Sequence, residues 1–425
     1  FPLAERETAS RGLKEEPTLE QKFRPVLLGS DLNVYGMARS FHEAYGLRSL
    51  AVSKTIYTAT AGSRIIDFVL EPGLDNPERF LSKLREVKKA HPEETLLLVP
   101  CGDGYMKLLV KLQEQLRGEF AFNCPNPDVL DRLTLKDRFY EACDEFGFAY
   151  PRTQVLTGVA DRERELDFPF PVVVKASNSI EYLKCDFPGK KKAFVAQDRE
   201  EYLRIVTAIY SSGYPDSLTI QEFIPGDDAH MRVLNCYVGA DGKVKLMALG
   251  HPLLEEHTPA GIGNYVAILS GCCDRTLLEQ MRSFLETIGW TGFANFDMKY
   301  DERDGQYKLF ETNPRQGRSS YYVTAAGCNL AQWLAEDVIF HKEQPLTIQE
   351  KEHLWLQVPK GIVYRYLENG ELLQKARELV RQGKWTNSLF YPPDLRPSRW
   401  LRLRANQLRH YKKYRLYYGK RGLEA

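Results

Sequence analysis

The stretch at 292–313, GFANFDMKYDERDGQYKLFETN, constrains the fold more than any other part of the chain. Its first half alternates apolar and polar side chains, the period of a half-buried strand. Ala294, Phe296, Met298 and Tyr300 share the core face, and Asn295, Asp297 and Lys299 share the other. Asp304–Gly305 supplies a tight hairpin turn. On the return strand Leu309, Glu311 and Asn313 share a face, so Asp297 and Glu311 are expected to meet, with register deciding the pairing. Two carboxylates and an amide oxygen form a hard-oxygen set of the kind Mg2+ takes, alongside water and phosphate. Solvated charges on a half-exposed hairpin are the plainer reading. A basic turn, PRQGR, follows and carries Arg315 and Arg318.

The 425 residues are too many for one core, and two to three domains are expected. Before residue 125, strands alternate with helices. RPVLLG is followed by the helical VYGMARSFHEAYG, with Asn33 as its expected cap and Gly46 as its stop. LRSLAVS is a further strand, and ETLLLVPCGDGY runs from a strand into a Gly-rich turn ahead of a helix. This order predicts a parallel α/β sheet. Ligands bind beyond the carboxyl ends of such strands, which marks Gly29–Asn33 and Cys101–Tyr105 as a substrate edge. GSDLNVYG lacks the G-x-G-x-x-G spacing, so a dinucleotide fold is disfavoured, and GIG at 261–263 is too short to count.

The texture changes at the connector NCPNPDV. A helix follows, with Thr134 as its expected cap and Gly147 as its stop, and strands dominate from 168 onward. Helices are expected at about 198–212 and 274–288, the second capped by Asp274. This part reads as α+β. Lys136 lies in the first turn of its helix, where a cation opposes the helix dipole. A bound anion would explain it, and so would plain solvent exposure. Lys175 ends the apolar run PFPVVVK, and QEFIPGDD offers a Pro–Gly hinge with Glu222 and an acid, Asp227 or Asp228, beside it. The polar segment between Lys175 and Phe194 reads equally as a lid or as a solvated loop.

No run of eighteen apolar residues occurs, so no membrane span is expected. Residues 1–22 read as a charged, flexible arm without a secretory signal. Eight scattered cysteines without a C-x-x-C pair suit free thiols in a reducing cytoplasm. From Asp394 onward the net charge is about +8, interleaved with Trp400, Tyr411, Tyr414, Tyr417 and Tyr418. Such a tail suits an anionic surface such as a membrane. Nothing in it matches a nucleic-acid-binding motif, and no nucleic acid is expected.

In order, Lys136, Lys175, QEFIPG, Asp297 and ETN resemble the ATP-grasp superfamily of carboxylate–amine ligases. Within it, VLLGSDLNVYGMARSFHEAYG and ETNPRQGRSSYYVTAAG are similar to the bacterial D-aspartate ligases, which act on the lysine of a cytoplasmic peptidoglycan precursor. The resemblance implies an N-terminal α/β domain at 23–125 and an α+β ATP-grasp domain at 126–345. Its two lobes, about 126–215 and 216–345, would clasp ATP, and a basic extension would occupy 346–425. It further implies that Lys136 and Lys175 contact phosphates and that Gln221, Glu222, Phe223 and Ile224 hold adenine. Asp227 or Asp228 would lie near the ribose, and Asp297, Glu311 and Asn313 would bind two Mg2+ ions. Arg315, with Arg318, would face the reacting carboxylate. The loop after Lys175 lacks the glycines that many family lids carry. The expected enzyme is a cytoplasmic ligase that joins an amino-acid carboxylate to an amine, with a homodimer as one arrangement. The alternatives are a peptide-forming ligase of small-molecule biosynthesis and a non-catalytic nucleotide-binding regulator.

Overall fold

The structure, a computed structural model, describes residues 22–420. All but the last residue of the expected N-terminal arm lies outside them.

The first sheet is parallel, in the order β3-β2-β1-β4, with β1 Phe23–Leu28, β2 Ser49–Ser53, β3 Ile66–Leu70 and β4 Thr95–Pro100. Helices join these strands, as the alternating sequence predicts. The first, Leu32–Tyr45, is capped by Asp31 rather than Asn33, because Asp31 has the extended backbone a cap needs (φ −85°, ψ −161°). Its Oδ1 accepts from the amides of Asn33 and Val34. Gly46 ends the helix at φ 67°.

The second sheet is antiparallel, in the order β5-β8-β6-β7, with β5 Thr153–Leu156, β6 Val172–Ala176, β7 Ala193–Ala196 and β8 Leu218–Glu222. β8 pairs with both β5 and β6, so this lobe extends past the expected division at 215/216. The helix Lys136–Phe146 leads into it without a side-chain cap. Thr134 instead ends the preceding helix, Pro127–Thr134, and donates back to Leu130 O.

The third sheet has eight strands: β9 Met231–Val238, β10 Val244–Glu255, β11 Tyr265–Cys272, β12 Gly292–Asp301, β13 Gln306–Asn313, β14 Thr347–Ile348, β15 His353–Leu356 and β16 Trp385–Asn387. Its main path runs β13-β12-β9-β10-β11-β15-β16, and β14 pairs with β10. The helix Arg275–Thr287 covers one face with Leu277, Met281, Phe284 and Leu285, at the spacing of an apolar helical stripe. Truncating Phe284 to alanine would cost about 3–5 kcal/mol. The opposite face shares a continuous core with the N-terminal domain, in which Tyr35, Phe41, Tyr237, Tyr322 and Trp355 are buried.

The chain after 345 is not an appendage, since β15 and β16 extend the large sheet. The C-terminal helix, Pro397–Tyr417, is locked to the N-terminal domain through a buried pair, Arg399 and Asp394, at 3.1 Å. Arg399 donates to the carbonyls of Ala59 and Ala61, while Asp394 accepts from Tyr35 OH, Ser63 Oγ and the Arg64 amide.

Candidate active site

The hairpin forms in the register that brings the acids together. Asn295 pairs with Asn313, and Asp297 with Glu311. A bulge follows, because Met298 next pairs with Leu309 and Phe310 is left over. Asp297 accepts from Tyr265 OH at 2.9 Å and from Asn313 Nδ2 at 3.0 Å. Burial, then the neighbouring Glu311 carboxylate, pushes Asp297 up to about 7. Neither acid has an ion pair among the described residues. Two adjacent carboxylates with no ion-paired cation at contact distance fit a divalent ion. No group of three or more His, Cys, Asp or Glu that could hold a metal ion occurs among the described residues. An ion here would therefore draw on these two acids, the Asn313 amide and oxygens from outside the protein.

Two lysines face this pair. Lys175 on β6 places its ammonium 3.5 Å from Gln221 Oε1 and 5.7 Å from the centre of the Phe310 ring. Burial pushes its pKa down, and Glu311 opposes that shift. Lys136 donates to Thr219 Oγ1 at 2.9 Å. Burial first, then Lys175, drives it down to about 8. Lys175 and the two carboxylates line a cleft of about 230 Å3, and Lys136 feels the charge of Lys175 and Glu311 from beside it.

The segment Gln221–Ile224 lines the same cleft. Gln221 is buried and donates to Tyr140 OH and Thr153 Oγ1. Glu222 is clamped by Arg152 at 3.2 Å and Arg303 at 2.9 Å. Burial works against its charged form, but these hydrogen bonds prevail and lower its pKa. Lys299 lies beneath the segment and donates to Ile224 O at 2.9 Å and to Gly226 O at 2.7 Å. Gly226 has φ +101°, and a Cβ there would meet the His230 ring at 2.4 Å, so only glycine fits this turn.

Arg315 joins the cleft to the N-terminal domain. Its Nε lies 2.8 Å from Asp103 Oδ1, and its Nη2 donates to Asn313 Oδ1 at 3.2 Å. Asn33 donates to Cys101 O at 3.1 Å and to Gln316 O at 3.0 Å. The two edges marked in the sequence, Gly29–Asn33 and Cys101–Tyr105, therefore converge on the PRQGR turn.

No protein-family model matches the chain. It is 43% identical over 411 residues to the D-aspartate ligase of Enterococcus faecium (strain Aus0004), spanning 93% of this chain and 97% of that protein. The chain belongs to the D-aspartate ligase family. It is thereby an ATP-dependent carboxylate–amine ligase of the ATP-grasp superfamily. Solved structures agree on the fold. The N5-carboxyaminoimidazole synthetase of Staphylococcus aureus, complexed with ADP, superposes with a TM-score of 0.60 at 12% identity, covering 84% of this chain and 87% of that one. An L-amino acid ligase from Bacillus licheniformis gives 0.53 at 14% identity, covering 75% and 74%.

The enzyme's cleft brings together Lys175, Gln221–Ile224, Asp297 and Glu311, with Lys136, Asn313 and Arg315 around them. Arg318 lines a neighbouring cavity instead. Asp227 and Asp228 do not line the cleft. Asp227 caps a short turn and accepts from the Ala229 amide. Asp228 is buried and accepts from the Glu255 amide at 2.9 Å, with His257 Nε2 at 2.8 Å. Sequence reasoning missed Lys299, Tyr265, Gln316 and the cleft wall at Ile262–Gly263, which belongs to the GIG set aside as too short. For Lys299 a signal existed, since a lysine on the same strand face as Asp297 is out of place unless it has a partner.

Proposed function

We propose that the enzyme joins the carboxylate of D-aspartate to an amine, the lysine side chain of a peptidoglycan precursor, converting ATP to ADP and phosphate. The placement of Asp297, Glu311 and Lys175 in one cleft with the Gln221–Ile224 segment carries this reading. The near full-length similarity to the E. faecium D-aspartate ligase supports D-aspartate as the donor.

The backbone of Glu222–Ile224 would hold adenine, with Lys299 fixing the height of that segment. Lys175 and Lys136 would receive phosphate oxygens. Both are kept from full solvation, which strengthens their pull on an anion. Asp297, Glu311 and Asn313 would hold Mg2+, in the expected number of two ions, which when bound would offset negative charge on the phosphates. In the first step a carboxylate oxygen of aspartate attacks the γ-phosphorus, the bond to the β–γ bridging oxygen breaks, and ADP leaves. In the second the amine attacks the acyl carbon, the C–O bond to phosphate breaks, and the amine gives up a proton. Both steps build negative charge on oxygens near Lys175 and Arg315, so catalysis is mainly electrostatic positioning.

No described helix is long and apolar enough to cross a membrane. The use of ATP supports a cytoplasmic site of action. The exposed leucines and basic residues of the C-terminal helix support contact with an anionic membrane surface. The decisive test is phosphate release from ATP with purified enzyme. Release should require both D-aspartate and the amine, with L-aspartate inactive. Release with neither present, or an equal rate with L-aspartate, would count against the assignment.

A further inference from the structure

A second cavity, of about 450 Å3, lies between the turn after β1 and the C-terminal helix. Asp31, Arg318 and Glu256 line it from the body of the protein, and Arg409, His410 and Lys413 line it from the helix. It sits behind the reacting end of the nucleotide cleft. Glu255 and Glu256 are neighbours in sequence, and the first lines the cleft while the second lines the cavity. Asp31 feels the charge of both Arg315 and Arg318.

The charges here do not balance at contact distance. Lys413 is answered by Glu256 at 3.0 Å. Arg409 stands on the exposed rim, bonded to Asn406 Oδ1. Arg318 is only half exposed, yet it makes no hydrogen bond or ion pair with any described residue. Asp31 uses only Oδ1 for its helix cap, leaving Oδ2 without a hydrogen bond among the described residues. His410 Nδ1 is buried without a partner. A part-buried guanidinium and a carboxylate oxygen, neither of them hydrogen-bonded to a described residue, on one cavity wall are complementary to a ligand carrying a carboxylate and an ammonium.

We propose that this cavity holds the donor amino acid, with Arg318 on its non-reacting carboxylate and Asp31 on its ammonium, so that the C-terminal helix forms a wall of the substrate site. The proposal rests on the ligase reading above and extends it to substrate selection. The reacting carboxylate must reach the phosphate end of the cleft, near Arg315. Arg318 then gains a hydrogen-bonded counter-charge only when the donor has a second carboxylate. A site built around such a group rejects an analogue lacking it far more strongly than an apolar pocket rejects a missing methylene.

The test uses the full-length enzyme with D-aspartate, its uncharged isostere D-asparagine, the amine acceptor and ATP. Arg318→Gln should lower kcat/KM for D-aspartate by about a hundredfold or more, leave the KM for ATP within about twofold, and erase the preference over D-asparagine. Arg318→Lys should restore part of that preference. Asp31→Asn keeps the helix cap, because asparagine caps as well as aspartate. It should raise the KM for D-aspartate about tenfold with an unchanged Tm, and leave inhibition by succinate, which has no amine, as in the parent enzyme. If these variants raise the KM of the amine acceptor and spare D-aspartate, the cavity belongs to the acceptor and the proposal is overturned while the ligase reading stands. Absence of any D-aspartate-dependent phosphate release in the unmutated enzyme would overturn both.

Discussion

Asp297 and Glu311 stand directly opposite each other on two antiparallel strands, and no lysine or arginine among the described residues is ion-paired to either. Like charges in that position weaken a sheet unless something neutralises them. The pair is therefore a site of stored repulsion in the metal-free protein. Asp297→Asn should lower Mg-ATP turnover at least about a hundredfold, and Glu311→Gln should do the same. Without Mg2+, Asp297→Asn should melt at the same temperature as the parent or slightly higher. Phosphate release and thermal melts with and without Mg2+ check both. Full activity in either variant would remove the metal assignment.

Lys299 predicts a different kinetic signature. It shapes the nucleotide end of the cleft through two carbonyls, those of Ile224 and Gly226, and plays no part in the chemistry. Lys299→Met removes both hydrogen bonds and leaves those carbonyls to find new partners. Each lost bond to a charged donor costs about 1.5–3 kcal/mol. The KM for ATP should rise about tenfold or more, while the KM for D-aspartate stays near its parent value. Equal increases in both would show a general loosening instead of a nucleotide defect.

The carboxylate pair was legible because it depends on local information alone, a period of two and one Asp–Gly turn. For Lys299 the strand shows a lysine beside Asp297 but not its partners, which lie 75 and 73 positions away. The acid expected near the ribose is Asp227 or Asp228, and Asp228 is instead buried. Its true partners sit at the end of β10 and on His257, contacts that only the folded sheet creates. Asn33 and Asp31 are both good cap residues two positions apart, and backbone geometry decided between them. The strands β15 and β16 are four and three residues long, too short for periodicity to reveal, so the tail read as an extension.

Integration of that tail changes what its removal would do. Arg399 and Asp394 are 1% and 0% exposed, and each satisfies further groups of the N-terminal domain. Removing one member of such a pair leaves an uncompensated charge, at a cost of about 3–5 kcal/mol. Arg399→Met should lower the urea midpoint accordingly and reduce the yield of soluble protein. Deletion from Asp394 onward removes the pair and the whole helix and should lower the urea midpoint further. Unchanged urea midpoints would show that the helix is only loosely attached.

Two histidines set a pH dependence of stability. Burial drives both His251 and His410 down to about 4. In the unfolded chain they titrate near 6.5. Below that value the unfolded chain takes up protons that the folded protein refuses, so stability falls as pH drops from about 6.5 to about 4. The contribution is complete above pH 6.5. His251→Gln removes one titrating group and keeps a donor for Ala229 O, the present partner of Nε2. Its melting temperature should fall less steeply than the parent's over that interval, as thermal melts at stepped pH would show. A parallel pair of curves would mean that His251 does not contribute.

The exposed side of the C-terminal helix makes the last prediction. Leu401, Leu408 and Leu416 are 62%, 68% and 41% exposed, on a stripe flanked by the exposed Arg402, Arg404, Arg409, Lys412 and Arg415. An apolar stripe bordered by cations suits the boundary between headgroups and acyl chains of an anionic bilayer. The full-length enzyme should therefore sediment with vesicles containing phosphatidylglycerol and not with pure phosphatidylcholine, and added salt should release it. Leu408→Glu places a negative charge in the middle of the stripe and should cut vesicle binding about tenfold without changing Tm, because that side chain is mostly exposed. Binding that ignores lipid charge, or that survives Leu408→Glu, would assign this surface to something other than a membrane.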